Sequence, residues 1–342
     1  MSGDRFQRRR GAALVAVLAV ATVALSGCES IRVMTGARMR LDGVPLQALA
    51  ASMPGNGGIA PGGKSTLSVV ATTTDGRTLA SAGAAGGKVL LDSYRFEASV
   101  VKVNADGVVT LPADPHLSEG RTPHVRITAA GRAAPVADLD IPVRYDVAFA
   151  GTYRGRDGLD GTDGLDGMPG APGLMGSFDP NSPSAGGDGS DGGNGTDGSN
   201  GGDGGPGPAV HVIIVLAPGA HPLLRVRASV SGQDHDFIVD PAGGSLTLTA
   251  SGGQGGRKGR GGKGGLGGSG GSGGSGSGAS GRSGRDGFDG HDGSGGPAGT
   301  LTVTIDPAAA PWLADFHFKN VDGDGRAGPA PVVTTAPVAL AW

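Results

Sequence analysis

The chain contains little cysteine, few aromatic residues and a small net charge. Cys28 is the single cysteine among 342 residues, so no disulfide can form within the chain. Aromatic side chains make up 4% of the residues, charged ones 17%, and the formal net charge is −3. A weakly acidic chain lacks the basic surface that nucleic-acid binding requires, so we expect no nucleic-acid partner.

The apolar run near the start, at 12–25, is short. It holds about 15 residues, whereas a membrane-spanning helix needs roughly 20. Four arginines precede it: Arg5, Arg8, Arg9 and Arg10. A charged flank, a short apolar stretch and small residues at its end indicate a bacterial secretory signal at 1–27.

The residues at the end of this signal, Leu25, Ser26, Gly27 and Cys28, resemble the lipobox of bacterial lipoproteins. The resemblance implies cleavage before Cys28, followed by acylation of its thiol and its new amino group. Several acyl chains anchor a protein stably, whereas a single chain binds only marginally. Glu29 stands where that family carries Asp as an inner-membrane retention signal, so the resemblance implies lipid anchoring at the outer membrane. Which face of that membrane carries the protein stays open.

Glycine, in contrast, is abundant, with 70 residues. It recurs at every third position in four runs of eight glycines each, which we name rods 1 to 4: 155–176, 186–207, 253–274 and 278–299. A strict period of three is typical of collagen and of the extended helices related to polyproline II. The sequence therefore predicts rods beside a globular part, and a structural or adhesive role.

The composition of the rods favours a bundle within one chain over a collagen trimer. Only four prolines fall inside the runs: Pro169, Pro172, Pro206 and Pro297. Rod 3 doubles the glycine in nearly every triplet, with Lys258 as the interruption. Rod 2 carries only acidic charges and rod 3 only basic ones, so a parallel homotrimer would stack like charges, whereas a folded-back chain could lay rod 2 beside rod 3. We expect a monomer, with flexible runs and a collagen-type homotrimer as the alternatives.

Outside the rods, the pattern predicts a mainly β fold. Short runs of β-branched residues between turn signals predict a β-sandwich-like domain at 58–150, after a tether at 28–57. The predicted segment 151–207 contains rods 1 and 2 and the segment 251–299 contains rods 3 and 4, while 208–250 and 300–342 return to strand patterns. Because strand patterns run directly into the repeats, we expect polyglycine II or collagen-like rods inserted between β segments.

Two kinds of weak binding site are indicated, one for calcium and one for polyanions. Asp188 and Asp191 match the opening of a calcium-binding nonapeptide repeat, and Asn320, Asp322 and Asp324 match the opening of an EF-hand loop. Neither motif is complete. Gly193 stands where the nonapeptide repeat has a large apolar residue, and Pro331 stands where the EF-hand loop has its bidentate Glu. Solvated acidic turns are therefore the simpler interpretation, and no cofactor is expected beyond weakly bound Ca²⁺.

The candidate polyanion site is a cluster of basic residues in rod 3: Arg257, Lys258, Arg260 and Lys263. Such a row suits phosphate-rich lipopolysaccharide or another acidic polymer, and pairing with the acidic rods is the alternative. No catalytic constellation is evident, so we expect a protein that is not an enzyme.

Over 155–300, together with the lipobox, the chain resembles bacterial collagen-like lipoproteins. The resemblance implies a membrane-anchored surface protein whose partner is a surface polysaccharide, lipopolysaccharide, or a host or neighbouring surface.

Overall fold

The computed structural model describes residues 38–55, 57–129 and 135–340. The chain is mainly β, which confirms the predicted class. It divides into two compact units, 1–145 and 146–342. The signal at 1–27, the lipobox and Cys28 lie outside the described residues.

Unit 1 contains nine strands within its described residues: β1 (Leu46–Ser52), β2 (Lys64–Thr66), β3 (Ser68–Thr73), β4 (Thr78–Ala80), β5 (Tyr94–Ser99), β6 (Lys102–Val103), β7 (Val108–Thr110), β8 (His124–Ala129) and β9 (Val136–Asp140). Short 3-10 helices cover Gly83–Ala85, Leu91–Ser93 and Pro115–Leu117. The strands form three antiparallel sheets in the orders β1-β3-β4, β2-β7-β6 and β5-β8-β9. Alternate residues such as Val69 and Ile127 are fully buried in one core to which all three sheets contribute.

The tether predicted at 28–57 is wrong over part of its length. Residues Leu46–Ser52 form β1, which pairs with β3 from Leu46↔Thr73 to Ser52↔Ser68. Leu41, just before this strand, is buried in the core. The three alanines of β1 gave a weak alternation in the sequence, but their small side chains fit beside β3.

Unit 2 contains eight strands within its described residues: β10 (Ala148–Arg154), β11 (Ala209–Leu216), β12 (Leu224–Val230), β13 (Gln233–Val239), β14 (Ser245–Ser251), β15 (Thr300–Ile305), β16 (Phe316–Val321) and β17 (Val332–Thr335). A 3-10 helix covers Ala310–Asp315. A five-stranded sheet has the order β13-β12-β11-β15-β17, and a three-stranded sheet has the order β10-β14-β16. Both sheets contribute to one core, for example through Ile214 and Leu248.

Two domain boundaries differ from the prediction. The first domain was expected to reach 150, but β10 begins at Ala148 and belongs to unit 2. The segments 208–250 and 300–342, predicted separately, share one core. Each segment alone has too few apolar residues to form a domain, and the two together form one core.

The rods connect the two sheets of unit 2. The chain leaves the three-stranded sheet at β10, passes through rods 1 and 2, and enters the five-stranded sheet at β11. It repeats this course from β14 through rods 3 and 4 to β15. β10 pairs in parallel with β14, and β11 in parallel with β15. We call the ends of the rods beside these strands the base, and the ends at 177–185 and 275–277 the tip.

No helix in the described part of the chain is both long and apolar enough to cross a bilayer.

Candidate interaction surface

Backbone hydrogen bonds join the four rods side by side. Rod 1 donates to rod 3 in parallel, as in Gly164 N–H to Arg260 O at 2.7 Å, and rod 2 donates to rod 4 in the same way. Antiparallel bonds join rods 1 and 2, rods 2 and 3, and rods 3 and 4, as in Gly262 N–H to Thr196 O at 2.9 Å. The bonds continue the strand ladders, because Arg154 pairs with Ser251 and Gly155 N–H then donates to Ser251 O. The sheets therefore fix the register of the rods from the base upward.

The recurring glycines are required by how closely the rods approach. A Cβ added to Gly262 would overlap the carbonyl of Leu165, and one added to Gly164 would overlap the carbonyl of Thr196. Rod 3 meets rods on several sides, which explains its doubled glycines: a Cβ on Gly261 would overlap Gly287 O. Any side chain at these positions would push two backbones apart and break their hydrogen bonds.

Carboxylate and amide side chains form a second set of ladders, which the sequence analysis missed. In rod 1 the residue before each of four successive glycines is Asp, and its Oδ1 accepts from a backbone N–H of rod 3. The pairs are Asp157–Gln254, Asp160–Arg257, Asp163–Arg260 and Asp166–Lys263, at 2.7–2.8 Å. In rod 2 Asp and Asn share this role toward rod 4: Asp188–Ala279, Asp191–Arg282, Asn194–Arg285, Asp197–Phe288, Asn200–His291 and Asp203–Ser294. The available signal was Asp or Asn at every third position.

Hydroxyl groups of rod 2 serve rod 1 in the same manner. Thr162 N–H donates to Ser199 Oγ, and Leu165 N–H donates to Thr196 Oγ1, both at 2.7 Å. An extended helix with three residues per turn has no internal hydrogen bonds, so its N–H groups need such partners from outside.

The four predicted carboxylate ligands of calcium have structural partners, whereas buried Asn320 donates from Nδ2 to Pro329 O at 2.6 Å and its Oδ1 has no hydrogen-bond partner. The carboxylates of Asp188 and Asp191 belong to the ladder toward rod 4. Asp322 accepts from the N–H groups of Asp324 and Arg326, and Asp324 accepts from Gly295 N–H of rod 4 at 3.1 Å. Among the described residues, no group of three or more His, Cys, Asp or Glu side chains lies close enough together to hold a metal ion.

The predicted basic row lies exposed on rod 3, directly beside an acidic row. The backbone N–H groups of Arg257, Arg260 and Lys263 donate to Asp160, Asp163 and Asp166 of rod 1, so each of these basic residues is adjacent to an acidic residue. Lys258 Nζ pairs with Asp289 of rod 4 at 2.8 Å; its hydrogen bond lowers the pKa of that carboxyl and raises the pKa of the lysine. Rods 2 and 3 are hydrogen-bonded neighbours, as the opposite charges suggested, but the acids beside the basic row belong to rods 1 and 4.

Large apolar side chains stand exposed on the outside of the rods. Rod 1 contributes Leu159, Leu165, Met168, Leu174 and Met175. Rod 3 contributes Leu266, rod 4 contributes Phe288, and Phe178 lies in the turn between rods 1 and 2. Leu159, Leu165, Met168 and Leu174 are separated by multiples of three residues, so with three residues per turn these four align along one side of rod 1, whereas Met175 lies on another side. Apolar side chains that stay exposed in a row on an ordered backbone are a common mark of an interaction site.

A surface pocket of about 400 Å³ in unit 1 is lined by Arg38, Asp92 and Asp106, among others. Its charged groups have partners: Arg38 donates to Gly87 O, and Asp92 pairs with Arg40 at 2.6 Å. These bonds serve the fold of unit 1 and indicate no ligand.

No known protein family matches the chain, and no curated protein shows significant sequence similarity to it.

Proposed function

We propose that this chain is a lipid-anchored protein of the bacterial outer membrane with a structural or adhesive role and no enzymatic activity. Its anchor is the acylated Cys28. Rods 1 to 4 form a polyglycine II bundle that presents side chains to a surface polysaccharide, to lipopolysaccharide, or to a host or neighbouring cell.

The observation that carries the proposal is the combination of a fixed backbone with exposed apolar side chains. Hydrogen bonds to neighbouring rods hold the backbone, while Leu159 and Leu174 of rod 1 keep 72% and 84% of their surface exposed. An ordered backbone loses little entropy on binding, so such side chains bind with little ordering cost.

The polyglycine II assignment has its own support. The recurring glycines bond between rods, and a Cβ at most of them would overlap a neighbouring backbone. A rod of 22 residues would reach roughly 70 Å at about 3.1 Å per residue. Far-ultraviolet circular dichroism of the intact protein tests it by following the polyproline-type signal of the rods. For a bundle within one chain, we expect this signal to melt in a single cooperative step at low protein concentration. A melting temperature that rises with concentration and a trimeric mass would overturn it.

Adhesion is tested with the full chain displayed on a bacterial surface. Replacing Leu159, Leu165, Met168 and Leu174 with serine leaves every recurring glycine in place, and we expect adherence to fall to the level of cells without the protein. Cys28→Ala separates the anchor from the rods, since it should release the protein from the membrane fraction without changing its melt. Undiminished adherence of the quadruple variant at equal surface amounts would refute the adhesive role.

A calcium- or polyanion-binding module is the second candidate. It is favoured by the exposure of Arg257, Arg260 and Lys263 in one row of rod 3. Lipopolysaccharide binding that declines steeply with salt, and a melting temperature raised by millimolar calcium, would support it. Absence of both effects would exclude it.

A further inference from the structure

One face of the bundle is formed by rods 2 and 4 together. Its centre, which we call the Phe288 platform, consists of three consecutive pairs of a rod 2 residue and a rod 4 residue: Asn194–Arg285, Asp197–Phe288 and Asn200–His291. In each pair, Oδ1 of the rod 2 side chain accepts from the backbone N–H of the rod 4 residue at 2.7–2.8 Å. The carbonyl of each rod 4 residue accepts from rod 2 as well, as Phe288 O does from Gly198 N–H at 2.9 Å. Both rows therefore lie at the boundary between the two rods, and all six residues are exposed.

Phe288 places an aromatic ring at the middle of the platform. It is the only Phe, Trp or Tyr within the four rods, and 78% of its surface is exposed. Its backbone is held by rod 2 through both its N–H and its carbonyl. The ring offers a flat apolar face with a partial negative charge. A partner that stacks on this ring orders only one side chain, because the backbone is already fixed.

The ladder of rod 2 changes from acid to amide on both sides of Phe288. Among the described residues, every other carboxylate or amide of rods 1, 2 and 4 that accepts from the backbone of a neighbouring rod belongs to an Asp. Asn194 and Asn200 accept through Oδ1 just as those carboxylates do, so the ladder does not require an amide at these two positions. The amide adds Nδ2, whose two N–H groups have no acceptor in the part of the chain that the structure describes. The two amides therefore supply donors on either side of the ring.

The remaining side chains of the platform have unused polar groups as well. Asp197 accepts through Oδ1 and keeps Oδ2 as a second acceptor. The guanidinium of Arg285 belongs to the triplet toward the tip and the imidazole of His291 to the triplet toward the base. Neither of these two side chains forms a hydrogen bond or an ion pair with another described residue. Donors and an acceptor therefore surround one apolar ring, a combination that suits a ligand with both apolar faces and hydroxyl groups.

We propose that the Phe288 platform binds a neutral glycan chain that lies along rods 2 and 4. The C–H face of one pyranose ring stacks on Phe288, since those C–H groups carry a partial positive charge and the aromatic face a negative one. Oδ2 of Asp197 accepts from a hydroxyl of the stacked sugar, and Nδ2 of Asn194 and of Asn200 donates to hydroxyl oxygens of its neighbours. The site specifies the class of polysaccharide that the proposed adhesive function contacts, and it rests on that function. It uses none of the exposed apolar residues of rod 1.

Charge selects a neutral ligand over a phosphate-rich one. Within the platform one carboxylate, that of Asp197, is matched by one guanidinium, that of Arg285. The same row of rod 2 continues with Asp191 toward the tip and Asp203 toward the base. A nucleic acid or another polyphosphate laid along this row would meet the carboxylates and be repelled. A neutral chain of sugars meets no such cost.

The pattern of side chains disfavours an apolar partner. A membrane or an apolar peptide requires several exposed apolar side chains together, whereas the residues three positions before and after Phe288 are Arg285 and His291. Successive pairs of the platform are roughly 9 Å apart at about 3.1 Å per residue, so the three pairs span roughly 19 Å. Several pyranose rings in a row fit along this length.

Binding of the purified full chain to an array of immobilised neutral and acidic oligosaccharides tests the proposal. Titration calorimetry with the neutral oligosaccharide that binds most strongly then gives the dissociation constant. Phe288→Ala removes the stacking surface, and we expect the dissociation constant to rise at least about tenfold. Phe288→Tyr keeps the ring and should change this constant less than about threefold. Asn194→Asp/Asn200→Asp keeps Oδ1 for the ladder but removes both Nδ2 donors, and should raise the constant about fivefold.

The matched control is Phe178→Ala, which removes the exposed aromatic ring in the turn between rods 1 and 2. It should change the dissociation constant less than about twofold. Because Phe288, Asn194 and Asn200 are all exposed, we expect every variant to melt within a few degrees of the wild type, as circular dichroism measures.

Binding to no neutral oligosaccharide at millimolar concentration overturns the proposal, as does an equal loss of binding in Phe178→Ala. Binding to acidic oligosaccharides alone would assign the surface to polyanions. A dimer in sedimentation velocity that Phe288→Ala dissociates would assign the ring to a second copy, and either result replaces the glycan.

Cells that display the chain separate this proposal from the adhesive function. Glycan binding by the purified chain without adherence of the cells refutes the adhesive role alone. Adherence that Phe288→Ala leaves unchanged, together with an absence of glycan binding, refutes this site alone.

Discussion

The carboxylate of Asp160 accepts a hydrogen bond from the backbone N–H of Arg257 at 2.8 Å, although the two residues are 97 positions apart in the chain. Asp157, Asp163 and Asp166 repeat this relationship at the same separation. Each such bond selects which side of rod 1 faces rod 3. The strands at the base set the register along the rods, and the Asp ladder sets their rotation.

Replacing one ladder acid tests this role. Asp163→Ala removes the acceptor of Arg260 N–H, so we expect unit 2 to lose about 0.5–1.5 kcal/mol of unfolding free energy. Asp163→Asn keeps Oδ1, as Asn194 and Asn200 do in rod 2, and should be close to neutral. Chemical denaturation measures both, and equal losses in the two variants would assign the effect to charge.

The glycine requirement should depend on position within the triplet. Gly262→Ala forces a methyl group onto the carbonyl of Leu165, and we expect a loss of about 1–3 kcal/mol, or several degrees of melting temperature. Gly187→Ala is the control, because its added Cβ would lie 3.3 Å from the nearest atom, Leu174 N. It should cost clearly less than Gly262→Ala, whose Cβ would lie 2.0 Å from Leu165 O. Equal destabilisation by both would mean that the rods tolerate no side chain on any face.

A hydroxyl introduced where rod 2 has glycine should stabilise the rods. A Cβ on Gly202 would lie 3.2 Å from Leu159 N, in the position from which Ser199 Oγ reaches Thr162 N–H. Gly202→Ser is expected to raise unfolding free energy by about 0.5–1.5 kcal/mol through the new hydrogen bond. Gly202→Ala isolates the entropy effect of losing a glycine, and the serine variant should exceed it. Slower hydrogen exchange of the Leu159 amide identifies the bond.

The stability of unit 1 should depend on pH through His124. Its ring lies 2.8 Å from Asp140 and 3.2 Å from Asp138, and the hydrogen bond to Asp140, then that to Asp138, raises the pKa of His124. A group whose pKa is raised on folding contributes its stability fully below its unfolded pKa, near 6.5, and loses it as pH rises through the folded value. His124→Gln should therefore destabilise unit 1 at about pH 5.5 and have little effect at about pH 9.

The difference should stay below about 1 kcal/mol, because the pair is exposed to solvent. Thermal melts of wild type and variant at both pH values measure it. A larger effect at high pH would show that the neutral imidazole is the stabilising form.

The period of three, the four equal runs and the entry of strands into the repeats could all be predicted, because each is a local pattern. The parallel contacts of rod 1 with rod 3 and of rod 2 with rod 4 could not be predicted, since they follow from the parallel pairing of β10 with β14 and of β11 with β15. Those pairings join residues about a hundred positions apart. For the same reason the sequence could not identify rods 1 and 4 as the source of the acids beside the basic row.

Local errors have local causes. One of the short strand-like runs within 58–150, Lys88 to Leu91, is not a strand: Leu91–Ser93 forms a 3-10 helix, and Val89 makes only isolated bridges to Met39 and Ser81. The ladder of Asp and Asn was visible as a repeat, yet its meaning required knowing that a backbone N–H lies opposite each side chain. The exposed leucine and methionine side chains of rod 1 were missed because apolar residues in a repeat of period three give no signal that distinguishes exposed ones from buried ones.

The joining of strand and rod ladders constrains how this sequence can change. Adding one triplet to rod 1 alone would leave three of its residues without neighbours and move the tip turn away from rod 3. The bundle can lengthen only if rods 1 to 4 each gain a triplet, so its length is a single property encoded in four separate places. Insertions and deletions in these repeats should therefore occur in coordinated sets, whereas the turns at 177–185 and 275–277 are free to vary alone.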